Sequence, residues 1–300
     1  MTDEVFQLPF PPTFTDEQLS KARSERYFYP IVFELYKHVA IMGITCAQIK
    51  PDSPDFRQFP ARHYAILIGL LNRICRLMLS SIALTHEGRY GETMRLLNRC
   101  IVESVVNILW LCEKNDPSLF QRFLADGTKS EVELLDIILN NISQRDGQTL
   151  AIEDRMLRSI RRFIASTGLS PEDIRAIPKL PNFKDKLCSL NFNNQAYLAI
   201  QKIGSHAIHG TWPDLLKFYL DWDEGDIFLP ADHDSRPHPY DYIHVSSFVL
   251  DAMRCFLNYI SESKYNLDEW LPQIKLTSDL LTKVESLRSE GDFERTQDVN

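Results

Sequence analysis

The chain has 300 residues, 44% of them hydrophobic and 25% charged, with a formal net charge of −8. That size and composition belong to a globular chain of one large domain or two unequal lobes, and they exclude a disordered majority. The acidic balance excludes broad non-specific coating of nucleic acid, which requires an extended basic field, and leaves room for a local basic site.

The N-terminus, M-T-D-E-V-F-Q-L-P-F-P-P, has no basic region ahead of an apolar core, so no signal peptide is expected. Thr15, with Gln18 three residues on, reads as a capping box opening a helix. Helical periodicity continues to about Gln48, kinked or broken near Pro30. Pro51 to Pro54 reads as a loop. A long helix is expected from about Ala61 to His86. Its Tyr64–Leu84 stretch is the most membrane-like in the chain, but Asn72, Arg73 and Arg76 interrupt it, which favours a buried amphipathic helix and no membrane partner. The short turn Gly88-Arg89-Tyr90-Gly91 implies an antiparallel hairpin with the next helix, about Met94 to Cys112.

Asp116-Pro117 opens another helix, expected to end at Gly127. Helices follow at about 129–143 and 149–166, the second with Arg155, Arg158, Arg161 and Arg162 on what reads as a solvated face. Ser170-Pro171-Glu172-Asp173 starts a short helix, and Pro178 and Pro181 break the chain. A helix from about Asn194 to His209 ends at Gly210, a suitable cap, and Pro213 begins another that runs to about Trp222. An acidic loop or short hairpin spans 223–240. Helices at about 241–263 and 267–290 close the chain, with a frayed tail after Gly291. The expected fold is all-α, a helical bundle. Its core occupies 61–222, an N-terminal leader and helix 1–60, the acidic loop 223–240, C-terminal helices 241–290 and a tail 291–300.

Six scattered cysteines without a C-x-x-C pair read as small core residues in a reducing cytoplasm. The main clue is a polar stripe. Arg95, Arg99, Glu103 and Asn107 follow one another at i,i+4 steps along a helix on which Leu96, Leu97, Cys100, Ile101, Val105, Val106, Leu109 and Trp110 cover most of the remaining circumference. Such a helix should be buried, so its charges must pair with each other, with another element or with a ligand. Upstream, the cations from Arg57 through Arg99 are all arginine, the better side chain for bidentate phosphate or carboxylate contacts.

A second constellation closes the helix that ends at Gly210. Lys202, Ser205 and His209 share a face, with His206 beside them. The plainer reading is a capped helix whose histidines sit at the end where the dipole favours a cation.

Arg-x-x-x-Glu inside an apolar helix (Arg99, Glu103), followed by Ser-x-x-x-His-Gly (Ser205, His209, Gly210), resembles an uncharacterised bacterial family of helical proteins. That family is itself similar to the HEPN superfamily, and the resemblance spans roughly Arg62 to Tyr219. It implies a helical bundle that forms a homodimer. It also implies a role in bacterial defence or a toxin–antitoxin-type system beside an antitoxin or other defence partner, with RNA as substrate or ligand. Active HEPN ribonucleases carry Arg-x4-6-His on one helix. Here the literal match, Arg57 to His63, spans Pro60, and the helix of His206 and His209 has Lys202 in place of the arginine.

Metal-independent RNA cleavage needs proton-transfer groups for the 2′-hydroxyl and the 5′-oxygen, and cations for the phosphorane charge. On that scheme Arg99 stabilises the phosphate and Glu103 orients it. His209 acts as base or acid, positioned by Ser205 and assisted by His206, while Arg95, Lys202 and Asn107 bind substrate. This requires the 94–112 and 194–209 helices to face each other. No cofactor is expected. The first alternative is a non-catalytic binding or scaffolding module of the same fold, or a purely structural polar network. The second is a metal-dependent hydrolase built from Asp232, His233, Asp234, His238 and His244, whose spacing matches no strong motif.

Overall fold

The computed structural model describes residues 8–49, 56–198, 208–222, 227–262 and 269–297. Helix α1 (Asp16–Glu25) opens on the expected capping box: Gln18 N–H donates to Thr15 Oγ1 at 3.2 Å, and Thr15 N–H donates to Gln18 Oε1 at 2.8 Å. The chain reverses at Arg26 (φ 54°), and α2 (Tyr29–Cys46) starts with Pro30 in its first turn, so the expected break is a clean boundary. The Pro51–Pro54 loop lies outside the described residues. Helix α3 (Ala61–Thr85) turns through Gly88 (φ 74°) and Tyr90 (φ 58°) into α4 (Gly91–Lys114).

Helix α5 (Pro117–Gln144) is capped by Asp116, whose Oδ1 accepts from Ser118 N–H at 2.9 Å. It does not end at Gly127, as the sequence suggested, but continues through it. Glycine without positive φ weakens a helix without stopping it, and here buried Phe120, Ala125, Thr128 and Val132 carry the apolar row past the weak point. No atom lies within 4 Å of a Cβ added at Gly127. Gly127→Ala should therefore stabilise the protein by about 0.5–1 kcal/mol, read as a raised urea midpoint with unchanged slope.

Helices α6 (Ala151–Thr167) and α7 (Pro171–Ala176) pack on α5 around Val132, Ile138, Leu157, Ile160, Ile164 and Ile174, a satellite to the main core. Helix α8 (Phe183–Ser189) was not anticipated after the prolines; Asn182 caps it, accepting from Asp185 N–H at 2.9 Å. Helix α9 (Asn194–Tyr197) begins where expected, 199–207 lie outside the described residues, and Gly210 takes the left-handed conformation (φ 54°) foreseen for a cap. Helix α10 (Trp212–Phe218) is shorter than expected, because Leu220–Trp222 leaves it as strand β1, antiparallel to β2 (Phe228–Pro230). Helix α11 (Pro239–Ile260) follows, then α12 (Trp270–Gln297), which runs on through Gly291 where a frayed tail was expected.

The all-α expectation holds, with one small hairpin as the departure among the described residues. The main core is the mutual packing of α2, α3, α4 and α11, flanked by α1 and α12, and it buries side chains from Leu19 to Val284. At its centre Tyr242 is fully buried, with Tyr29, Phe33 and Tyr36 edge-on around its ring at 5.1–5.9 Å. Its hydroxyl donates to Thr85 Oγ1 at 2.6 Å, and the Tyr29 hydroxyl donates to the Thr85 carbonyl. Helix α3 is long and apolar enough to cross a membrane by length and composition. One of its faces is buried in this bundle, and Asn72, Arg73 and Arg76 lie on the other.

Burial holds four histidines below their ordinary pKa: His38 on α2, His63 stacked on Phe120 at 4.0 Å, His238 at the cap of α11 and His244 on α11. A base whose folded pKa is depressed takes up a proton more readily when unfolded. Stability is therefore retained above the ordinary histidine value near about 6.5 and lost as pH falls from there toward the folded values. The raised carboxyls of Asp241 and Asp251 act in the opposite sense, in a window opening upward from about pH 3.9. The melting temperature should thus be lower at about pH 5.5 than at about pH 7.5. His63→Phe, which keeps the ring stack, should reduce that difference.

Candidate functional site

The stripe lies on one side of α4, as its spacing dictates; Arg95 meets α10 and α11, while Arg99 and Asn107 meet α8. Arg95 Nε is 3.6 Å from Asp241 Oδ2 at the start of α11, and the Phe218 ring of α10 lies 5.0 Å from its guanidinium carbon. Burial raises the Asp241 pKa, and the nearby Arg95 opposes that shift. Asn107 Oδ1 accepts from Lys186 Nζ of α8 at 2.7 Å, and the same ammonium sits 5.3 Å from the Trp110 ring. Burial pushes the Lys186 pKa below that of an ordinary lysine, against the attraction of Glu103 and Asp126. Helix α8 is fixed over this region by Asn182 at its start and by Lys114, whose Nζ donates to the Ser189 carbonyl at 2.8 Å.

Arg99 is the exception in this series. Its side chain is 7% exposed, under the Phe183 ring at 4.9 Å. Its charge partner Glu103 is 48% exposed, and the 3.6 Å between Nη1 and Oε2 is too long for a hydrogen bond. Among the described residues Nε and Nη1 have no hydrogen-bond partner although both are buried, and the same holds for Oδ1 of the adjacent Asn98. Each unpaired N–H of such a guanidinium can donate a charge-assisted hydrogen bond to an oxygen of an anion. The half-exposed Glu103 marks the side on which the seam between α4 and α8 reaches solvent.

Of the residues expected to complete the site, Lys202, Ser205 and His206 lie outside the described residues. His209 is exposed and makes no hydrogen bond or ion pair among the described residues, so the structure does not join it to Arg99 or Glu103. What covers the stripe among the described residues is α8, α10 and the start of α11. Lys186, Phe183 and Asp241 were missed by the sequence reading. For α8 a signal existed, the Asn182-x-x-Asp185 cap directly after the proline pair; for Asp241 nothing in the spacing ties it to Arg95.

The Arg57–His63 match is not a site. Arg57 donates to Asn115 Oδ1 at 2.7 Å and lies 4.8 Å from the Tyr259 ring, in an open cleft of about 460 Å³ with Asp251 and Arg254, while His63 is buried against Phe120. The metal reading also fails among the described residues, where no three His, Cys, Asp or Glu side chains converge. Asp234 is held by Arg89 at 2.8 Å, His238 caps α11 by accepting from Tyr240 N–H, and the His244 ring packs on Tyr240 at 3.6 Å. Asp232 and His233 are exposed and meet only each other, at 3.7 Å.

Fold and site together define an all-α bundle protein in which a half-satisfied cationic stripe on a core helix is capped by two short helices. No curated protein and no solved structure matches the chain. A family model does: residues 64–227, from α3 into the hairpin, match the Family of unknown function DUF5677, and the chain belongs to that family. The matched span contains all of α4, α8 and α10.

Proposed function

We propose that this is a HEPN-like nucleotide-phosphate-binding module that holds an RNA end at Arg99, in the setting of a bacterial defence or toxin–antitoxin-type system. One observation carries the reading: Arg99 is a buried guanidinium whose Nε and Nη1 have no acceptor among the described residues. Burying an uncompensated cation costs several kcal/mol, on the order of the penalty for any desolvated ion, and a phosphate oxyanion relieves it with charge and acceptors together. Lys186 and Arg95, both on this face and both beneath or beside aromatic rings, add positive potential. Binding is favoured over cleavage because His209 is exposed and, among the described residues, makes no hydrogen bond or ion pair with Arg99 or Glu103.

The test is fluorescence anisotropy of a labelled oligoribonucleotide carrying a terminal phosphate, at 5′ or 3′, against the same strand with hydroxyl ends. Tighter binding of a phosphorylated end, lost in Arg99→Gln, is expected, with the RNA recovered intact on a gel. Equal binding of all strands would sink the proposal. Cleavage that disappears in His209→Ala, together with growth inhibition on expression relieved by the same change, would replace it with the ribonuclease reading.

A further inference from the structure

The cleft beside Arg57 holds a pair of groups that the cationic stripe and the phosphate reading leave unused. Helices α4 and α11 pack directly against each other, and along one edge of that contact they line this open cleft of about 460 Å³. Leu109 and Cys112 come from one turn of α4, while Asp251, Cys255 and Tyr259 follow at i,i+4 steps on α11. The two periodicities bring Cys112 and Cys255 to the same wall from opposite helices, where their thiols are hydrogen-bonded to each other. All six cysteines of the chain are free thiols.

The remaining cysteines show what distinguishes this pair. Cys46 on α2 and Cys75 on α3 are close enough to influence each other's charge, but they are 0% and 3% exposed. Burial pushes both of those thiols up, Cys75 to about 12, which makes them poor nucleophiles. Cys188 on α8 is exposed, and neither it nor Cys100 lines the cleft. Cys255 is half-buried and faces the cleft, with Cys112, 6% exposed, beside it. Burial pushes the Cys112 thiol up; of the neighbouring charges Arg57 opposes that shift and Glu113 reinforces it. Cys255 is therefore the member that ionises first and meets an oxidant from solvent, and Cys112 is placed to resolve it.

We propose that Cys112 and Cys255 form a reversible oxidation site, at which a peroxide converts the thiol pair into a disulfide that staples α4 to α11. The Cys255 thiolate attacks the peroxide. An S–O bond forms, the O–O bond breaks, and hydroxide leaves, taking up the thiol's proton to become water. The Cys112 sulfur then attacks the sulfenic sulfur. The S–S bond forms, the S–O bond breaks, and the oxygen departs as a second water with the Cys112 proton. Both thiols are oxidised, and the peroxide is reduced to two waters. The staple ties the ends of α4 and α11 that lie opposite the Arg95–Asp241 contact. It is independent of the phosphate reading, and its readouts are thiol count, linkage and melting temperature.

The test treats the native full chain with hydrogen peroxide, alkylates the surviving thiols after denaturation and maps the peptides by mass spectrometry. The thiol count should fall from six to four, with one linked peptide pair carrying Cys112 and Cys255, reversed by dithiothreitol. Because the bond restricts the unfolded chain over a long loop, the oxidised protein should melt several degrees higher than the reduced one. Cys112→Ser should stop the reaction at a sulfenic acid on Cys255, trapped by dimedone, and Cys255→Ser should abolish both the link and the rise. If a serine variant fails to fold, peptide mapping of the wild type still decides. Survival of all six thiols would overturn the inference, as would linkage through Cys46, Cys75 or Cys188 instead. So would a melting temperature that falls on oxidation, because the bond would then form at the expense of the α4–α11 packing.

Discussion

Arg99→Met is expected to weaken binding of a phosphorylated RNA end by roughly tenfold to a hundredfold while leaving the protein as stable as before or more so. The loss follows from removing one or two charge-assisted hydrogen bonds, each about 1.5–3 kcal/mol, at about 1.4 kcal/mol per decade of affinity. The stability half of the prediction is the discriminating one. Deleting one partner of a buried ion pair usually destabilises by about 3–5 kcal/mol because the other charge is stranded in the interior. Here the remaining partner, Glu103, is half exposed and can be solvated by water, and the deleted group had two unsatisfied donors. Methionine fills much of the same volume beneath Phe183 without a charge to desolvate. Parallel urea melts and anisotropy titrations of wild type and variant check both halves. A variant that unfolds several kcal/mol more easily would identify Arg99 as a structural tie whose partner is not Glu103.

The largest effect on stability is expected at Tyr242→Ala, at about 3–5 kcal/mol, the range for truncating a fully buried aromatic side chain. Tyr242 lies where α2, α3 and α11 converge. Its ring fills the space among Tyr29, Phe33 and Tyr36, and its hydroxyl bonds to Thr85 at the end of α3. Truncation opens a cavity lined by three rings that cannot all collapse into it, and it removes a buried hydrogen bond. Tyr242→Phe separates the two contributions, because it keeps the packing and loses only the bond, about 1 kcal/mol. Thermal melts should place Ala roughly 10 °C below wild type and Phe within a few degrees of it. Equal effects of the two changes would show that the hydroxyl, not the ring, holds the three helices together.

Helices were legible wherever the sequence carried both a periodic apolar row and a terminal signal. Thr15, Pro30, Gly88, Asp116 and Ser170 each sit at the boundary where their chemistry placed them. The misreadings share a cause, which is that a local signal was outweighed by packing or pairing. Gly127 resembles a stop, but the row from Phe120 to Val132 is buried on both sides of it. The segment after Trp212 was expected to stay helical to about Trp222, with a loop or short hairpin beyond it; the helix ends at Phe218 and the hairpin begins at Leu220, because Leu220–Trp222 pairs with Phe228–Pro230.

The site divides in the same way. That Arg95, Arg99, Glu103 and Asn107 share a face follows from 3.6-residue periodicity, and the sequence alone determined it; the expectation that their charges are buried holds for Arg99, while Arg95 and Asn107 are partly covered and Glu103 is half exposed. Which of those groups would be satisfied was decided only by the tertiary structure. Asp241 reaches Arg95 and Lys186 reaches Asn107 across distant chain segments, while Arg99 receives an aromatic ring and a carboxylate slightly too far away. Periodicity fixes direction along one helix, but the partner at the end of that direction depends on how separate helices pack. One arginine whose donors are left unmatched by that packing is the feature on which the functional reading rests.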